Sequence, residues 1–186
     1  GISEFKNNSM RKVHFNIITM FPDMFKILDY GILGKHKNDC FSVNIIDLKQ
    51  YGPKHGVDDI MYGSKGMLIS PEPVHQAIIK NNLKNIIYTS PRGKVWNHKM
   101  VLKFSQIETI NILCGRYKGI DQRVIDLHNM TEISIGDFVI SGGEVAAMIM
   151  IDSISRFTGV VKPHSLNDSF ANGLVEHDNY TRPETW

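Results

Sequence analysis

Cysteine is scarce in this chain: Cys40 and Cys114 are the only two among 186 residues. Two cysteines build neither a disulfide framework nor a Cys-rich metal site. Both stand beside apolar residues, where a thiol behaves as a small buried hydrophobe. The 8 histidines are scattered and show no metal-ligand spacing, so no histidine ligand is assigned. Charge of one sign is also missing. Lys and Arg number 21 against 19 Asp and Glu, for a net charge of +2. That balance permits nucleic-acid binding without arguing for it. No apolar run approaches the roughly 18 residues of a membrane span. No secretory signal is visible, which makes the cytoplasm the expected location. Internal repeats and low-complexity tracts are absent. So are the two common phosphate-loop fingerprints: no G-x-G-x-x-G follows a strand, and Gly63-Ser64-Lys65-Gly66 is too short for a nucleotide-triphosphate loop. A dinucleotide or nucleoside-triphosphate enzyme on an ordinary α/β sheet is therefore disfavoured.

What is present is an alternation of short apolar strands and amphipathic stretches. Residues 13–18 and 43–48 read as strands. Between them, 23–29 reads as helical, with Met24, Ile27 and Leu28 at i, i+3 and i+4. Residues 51–65 are polar and glycine-rich and read as loop. Ser70-Pro71-Glu72-Pro73 has helix-start chemistry: a hydroxyl cap, an early proline and an early acid. Val74, Ala77 and Ile78 then supply a buried face. Further strands are expected at 85–88, ended by Ser90-Pro91, at 107–114, ended by Gly115, and at 138–140. Helices are expected at 122–128 and 144–157. Strands alternating with helices predict an α/β domain with a mostly parallel sheet flanked by helices. Ligands of such sheets sit at the carboxyl ends of strands. The turns after Tyr88, Cys114 and Ile140 are expected at those ends. The first nine residues, opening Gly1-Ile2-Ser3-Glu4-Phe5, resemble a cloning remnant, with Met10 a plausible native start.

Two glycine-bearing segments stand out. One is Cys114-Gly115-Arg116-Tyr117-Lys118-Gly119-Ile120-Asp121-Gln122-Arg123. The other is Ser134-Ile135-Gly136-Asp137-Phe138-Val139-Ile140-Ser141-Gly142-Gly143-Glu144. Glycine lets backbone groups approach a ligand without a Cβ in the way. With Met20-Phe21-Pro22-Asp23, Val57-Asp58-Asp59, Gly66-Met67-Leu68, Tyr88-Thr89-Ser90-Pro91-Arg92-Gly93, Ile151-Asp152-Ser153 through Phe157, Asp168-Ser169-Phe170 and Tyr180-Thr181-Arg182-Pro183-Glu184, they form an ordered series. This series resembles bacterial tRNA (guanine-N1)-methyltransferases of the TrmD type, members of the SPOUT superfamily. The resemblance runs from about Met10 to the last residue.

The resemblance implies a C-terminal deep trefoil knot, which no local pattern reveals. It implies a bent S-adenosylmethionine with its adenine in an apolar slot. Tyr88, Thr89, Ser90 and Pro91 would form one wall, Gly115 and Tyr117 another. Ile135, Gly136, Asp137, Phe138, Val139 and Ile140 would close the pocket with Gly142 and Gly143. Asp168 would take the proton from guanine N1. A carboxylate near pKa 3.9 faces an N–H near about 9, so unaided transfer is uphill by roughly 7 kcal/mol. Arg156 would steady the developing charge on O6. Asp58 and Asp59 would lie near the tRNA surface. The resemblance further implies a homodimer whose site joins both subunits. It divides the chain into the remnant 1–9, a catalytic domain 10–163, and a segment 164–186 leading to a tRNA-binding helical domain.

Three departures from the family pattern are visible. Lys118 stands where the family has a glutamate linked to magnesium dependence. Lysine does not bind Mg²⁺, which wants oxygen ligands, so the need for Mg²⁺ stays open at this level. The loop Tyr62-Gly63-Ser64-Lys65-Gly66-Met67 is one residue short, preceded by Ile60 and Met61 in place of Arg and Pro. The sequence also stops at Trp186, where the family pattern continues into a helical domain that grips the anticodon stem, and the linker 158–167 looks a few residues short. A relative that binds cofactor or RNA without catalysis is the alternative these departures leave open.

Overall fold

A computed structural model describes residues 12–54, 56–60, 65–116, 118–161 and 178–186. The main sheet has five strands: β1 (Val13–Thr19), β2 (Phe41–Asp47), β5 (Ile86–Val95), β6 (Thr109–Cys114) and β7 (Thr131–Ser134), in the order β2-β1-β6-β5-β7. Every pairing in it is parallel. Helices α1 (Gly31–His36), α2 (Pro71–Lys80), α3 (His98–Phe104), α4 (Gln122–Leu127) and α5 (Glu144–Ser155) make the connections, with a 3₁₀ turn at Pro22–Asp29. The mostly parallel α/β expectation holds.

The sheet is covered on both faces, as parallel sheets require. Val13, Phe15 and Ile17 of β1, with Ile110, Ile112 and Cys114 of β6, pack under Ala147, Met150, Ile151 and Ile154 of α5. Ile18, Tyr88 and Leu113 pack on the other face with Val74, Ala77 and Ile78 of α2 and Val124 and Ile125 of α4. Cys114 is buried in this core and Cys40 half-buried beside it. Polar side chains pin the register. Asn44, Asn16 and Asn111 are direct neighbours across β2, β1 and β6. Asn44 Nδ2 donates to Asn16 Oδ1 at 3.0 Å, and Asn16 Nδ2 to Asn111 Oδ1 at 2.9 Å. A slip of one residue would bury these amides without partners.

Several local expectations are corrected. The segment 138–140 is not a strand: Phe138 is 57% and Val139 83% exposed. The strand lies earlier, at Thr131–Ser134, where Ile133 enters the core. In 23–29, Met24 and Ile27 face outward while Phe25 and Leu28 are buried, because the tighter 3₁₀ winding rotates the inward face. Within 51–65, Asp58–Ile60 forms β3, paired antiparallel with β4 (Met67–Ile69). Ser70 precedes α2 but its hydroxyl makes no cap bond; its N–H donates to Val57 O at 2.8 Å. β5 does not stop at Ser90-Pro91. Thr89 and Lys94 both pair with Ile133, so the residues between them bulge out of the ladder. Helices α1 and α3 fall on stretches with no expected element.

Candidate functional site

The bulge in β5, the turn after β6 and the loop after β7 meet at the carboxyl edge of the sheet. They enclose a cleft of about 180 Å³. Eleven expected cofactor residues line it: Tyr88, Thr89, Ser90, Pro91, Gly115, Ile135, Phe138, Val139, Ile140, Gly142 and Gly143. The third loop at this edge starts after Ser134, not after Ile140. Gly136 and Asp137 belong to that loop but not to the lining. Gly136 turns the chain: its N–H donates to Ser134 Oγ at 3.2 Å, and that hydroxyl donates to Gly136 O at 2.9 Å. Tyr117 lies outside the described residues.

Close backbone packing shapes the cleft. Thr89 Oγ1 accepts from Gly115 N–H at 3.1 Å and donates to Leu113 O at 3.3 Å. Gly143 N–H donates to Gly115 O at 2.8 Å. A Cβ on Gly115 would come within 2.7 Å of Thr89 O and 2.9 Å of the Tyr88 ring. Gly119 has φ +122, a conformation side-chain-bearing residues rarely adopt. Burial pushes the Tyr88 phenol up; the Glu132 charge adds to this, and Arg92 and a backbone bond with Ile120 oppose it.

A buried charge pair lies beneath the glycines. Glu144, the first residue of α5, is fully buried. Its Oε1 accepts from Thr19 Oγ1 at 2.9 Å. Its Oε2 stands 3.6 Å from Arg116 Nη2, an ion pair without a hydrogen bond. Arg116 Nη1 donates to Ser141 O at 3.2 Å, and its guanidinium lies 4.0 Å from the Phe21 ring centroid. The pair thereby ties the 134–143 loop to β1 and β6. Buried Cys114 senses both charges: burial raises its thiol well above the usual range, Glu144 adds to the rise and Arg116 opposes it.

Sequence reasoning missed Arg92, Arg116 and Ser141 in the lining. It also missed Glu144 beneath it. One signal was available: a carboxylate opening an otherwise apolar helix, Glu144-Val145-Ala146-Ala147-Met148-Ile149-Met150. A carboxylate in a first helical turn is also what the helix dipole favours, so this signal marks the residue without showing its burial.

The cleft does not contain every expected site residue. Arg156 caps the end of α5, half-buried, and is not part of the lining. Asp58 and Asp59 sit on β3, whose partner β4 abuts the 116–121 turn through Ile69 N–H to Gly119 O at 3.0 Å. Asp168 lies outside the described residues. Among the described residues, no group of three or more His, Cys, Asp or Glu side chains fits a metal, and none of those lining the cleft is Asp or Glu. These residues do not fit Mg²⁺. No described helix is long and apolar enough to cross a membrane.

Comparison with known proteins gives this geometry its context. The family model for tRNA (Guanine-1)-methyltransferase TrmD matches residues 13–186. A tRNA (guanine-N(1)-)-methyltransferase of Buchnera aphidicola is 46% identical, over 92% of this chain and 70% of that protein. The protein so named in Rhodospirillum rubrum is 41% identical, over 91% and 75%. Among solved structures, the tRNA (m1G37) methyltransferase from Aquifex aeolicus superposes with a TM-score of 0.74 at 35% identity, over 94% of this chain and 78% of that one. A cleft at the sheet's carboxyl edge, lined in sequence order by the motif residues, thus sits in a chain that belongs to the TrmD tRNA (guanine-N1)-methyltransferase family.

Proposed function

We propose that this chain transfers the methyl group of S-adenosylmethionine to N1 of the guanosine 3′ to the anticodon, position 37 of tRNA. The observation that carries the reading is the cleft: eleven residues expected to hold the cofactor line one cavity, in a chain of this family. Apolar Ile135, Phe138, Val139 and Ile140 suit the adenine face, and the glycine turns offer main-chain donors and acceptors.

The reaction breaks the S–CH₃ bond, forms an N1–CH₃ bond and releases the N1 proton. The donor arrives activated as a sulfonium, so the protein supplies position and electrostatics. In this reading Asp168 accepts the proton and Arg156 stabilises charge on guanine O6. Asp58 and Asp59 face the RNA from the β3–β4 hairpin. The C-terminal knot of the superfamily, the boundaries 10–163 and 164–186, and a cytoplasmic location belong to the same reading. Among the described residues no group is arranged to hold Mg²⁺.

A homodimer is also part of the reading. Its support is an apolar face left open beside the cleft. Val145 and Ile149 are exposed one turn apart on α5, which packs on the 3₁₀ turn that exposes Met24 and Ile27. Exposed large apolar side chains on two packed elements are the kind of surface a two-fold pairing would bury.

The test is transfer of radiolabelled methyl to an unmodified tRNA transcript carrying G37, mapped by nuclease digestion and chromatography. One m1G per tRNA, lost when G37 is changed to A, is the expected result. Binding of S-adenosylhomocysteine without any transfer favours the non-catalytic alternative.

A further inference from the structure

The cleft has an unusual charge inventory. Among the described residues its lining carries three cationic side chains, Arg92, Arg116 and Lys118, and no carboxylate. Two of the cations are already paired. Arg92 stands 3.6 Å from Glu132, and Arg116 stands 3.6 Å from buried Glu144. Lys118 has no carboxylate within ion-pair distance among the described residues.

Lys118 is held where it can serve the cleft. Its N–H donates to Met67 O at 3.2 Å, which fastens its backbone to the start of β4. Its stem runs along Gly66: a Cβ there would lie 3.0 Å from Lys118 Cγ and 3.3 Å from Cε. Gly66 has φ +129, so this residue gives both the turn and the room. The lysine, exposed as a residue, thus reaches the cleft lining from beside Gly66, with its stem packed there.

We propose that Lys118 determines recognition of the cofactor's amino-acid tail, its ammonium binding the tail carboxylate. This rests on the function proposed above. The carboxylate is the only anionic group on that cofactor, and Lys118 is the lining cation with no carboxylate of its own among the described residues. The contact is a charge-assisted hydrogen bond at a solvent-facing rim, of moderate strength.

The experiment titrates the full chain and its K118M and K118R variants with two ligands. One is S-adenosylhomocysteine. The other is 5′-methylthioadenosine, which keeps the nucleoside and thioether and lacks the amino-acid tail. K118M is expected to weaken S-adenosylhomocysteine about five- to tenfold, with K118R recovering most of the loss and methylthioadenosine unchanged throughout. Equal loss for both ligands would mean a packing role, and no loss for either would leave the tail unrecognised by Lys118; both results overturn the assignment. So does unchanged S-adenosylhomocysteine binding with weaker tRNA binding and a shallower salt dependence, which would give the ammonium to an RNA phosphate. An unaltered chain that binds neither ligand overturns the cofactor reading itself, and Lys118's role with it.

Discussion

Gly143 is closed to any side chain by Thr89: a Cβ at Gly143 would collide with Thr89 Oγ1. The same hydroxyl accepts the Gly115 N–H, and the Gly143 N–H is bonded to Gly115 O. These short contacts lock the start of α5 to the bulge of β5 and the end of β6. Gly143→Ala must push this clasp apart. The expected cost is about 1–3 kcal/mol of stability, with S-adenosylhomocysteine affinity lowered more than tenfold. Denaturant unfolding and calorimetric titration read the two effects. Unchanged affinity would show that the clasp does not shape the cleft.

Glu144 and Arg116 form the buried pair beneath that clasp. Glu144→Ala leaves the guanidinium without its counter-charge and Thr19 Oγ1 without its acceptor. Breaking a buried pair in this way costs about 3–5 kcal/mol. Glu144→Gln keeps the shape and an acceptor for Thr19, and should lose less. Thermal unfolding of the two variants in parallel checks the order; equal losses would assign the effect to the lost charge rather than to shape.

Asp168 and Arg156 are proposed to act in the chemical step rather than in cofactor binding. Asp168→Asn is expected to lower methyl transfer about 10²- to 10⁴-fold, and Arg156→Gln about 10²- to 10³-fold. Both should leave S-adenosylhomocysteine affinity within about threefold. Single-turnover assays at saturating tRNA isolate the step. Full activity of Asp168→Asn would remove it as the base.

His75 Nδ1 and His128 Nε2 lie 2.9 Å apart where α2 meets the end of α4. Burial, and next the neighbouring His75, pull the His128 pKa below its ordinary 6.5. The folded chain therefore binds fewer protons than the unfolded one just below that value, so stability rises with pH across this window. The contribution is present above about 6.5 and is lost as pH falls through the lowered pKa. Thermal midpoints should drop from pH 7.5 to 5, and His128→Gln should flatten the slope. An identical slope in the variant would place the titration elsewhere.

The apolar face on α5 gives a direct test of assembly. Ile149→Asp puts a charge into the middle of the proposed two-fold contact without touching the core, since Ile149 is exposed. Light scattering is expected to show a dimer for the unaltered chain and a monomer for the variant, with transfer activity lost and the circular dichroism kept. A variant that stays dimeric would move the interface away from this face.

The sheet class was legible from residues alone because it rests on local patterns. Val13 to Ile18 and Ile110 to Cys114 are short β-rich apolar runs, and helical stretches separate them. The α2 face of Val74, Ala77 and Ile78 was readable for the same reason. Periodicity misled where apolar residues line a cleft instead of a core. Phe138-Val139-Ile140 has strand composition, yet its residues line a cleft and face solvent.

Local sequence patterns by themselves determined the α/β class, and the ordered motifs, through their resemblance, the guanine-N1 methyltransferase family. Those are properties of neighbours in sequence, and local backbone chemistry expresses them. Tertiary structure alone decided the rest. Thr19 and Glu144 are 125 positions apart and share a hydrogen bond; Asn16 and Asn111 are 95 apart and fix a register. The bulge that carries Arg92 to the cleft lies between Thr89 and Lys94, which both pair with Ile133 of another strand. The state of Lys118, beside Gly66 and across from two paired arginines, follows from the same folding. Such contacts depend on which distant segments the sheet order brings together, and no local pattern encodes that order.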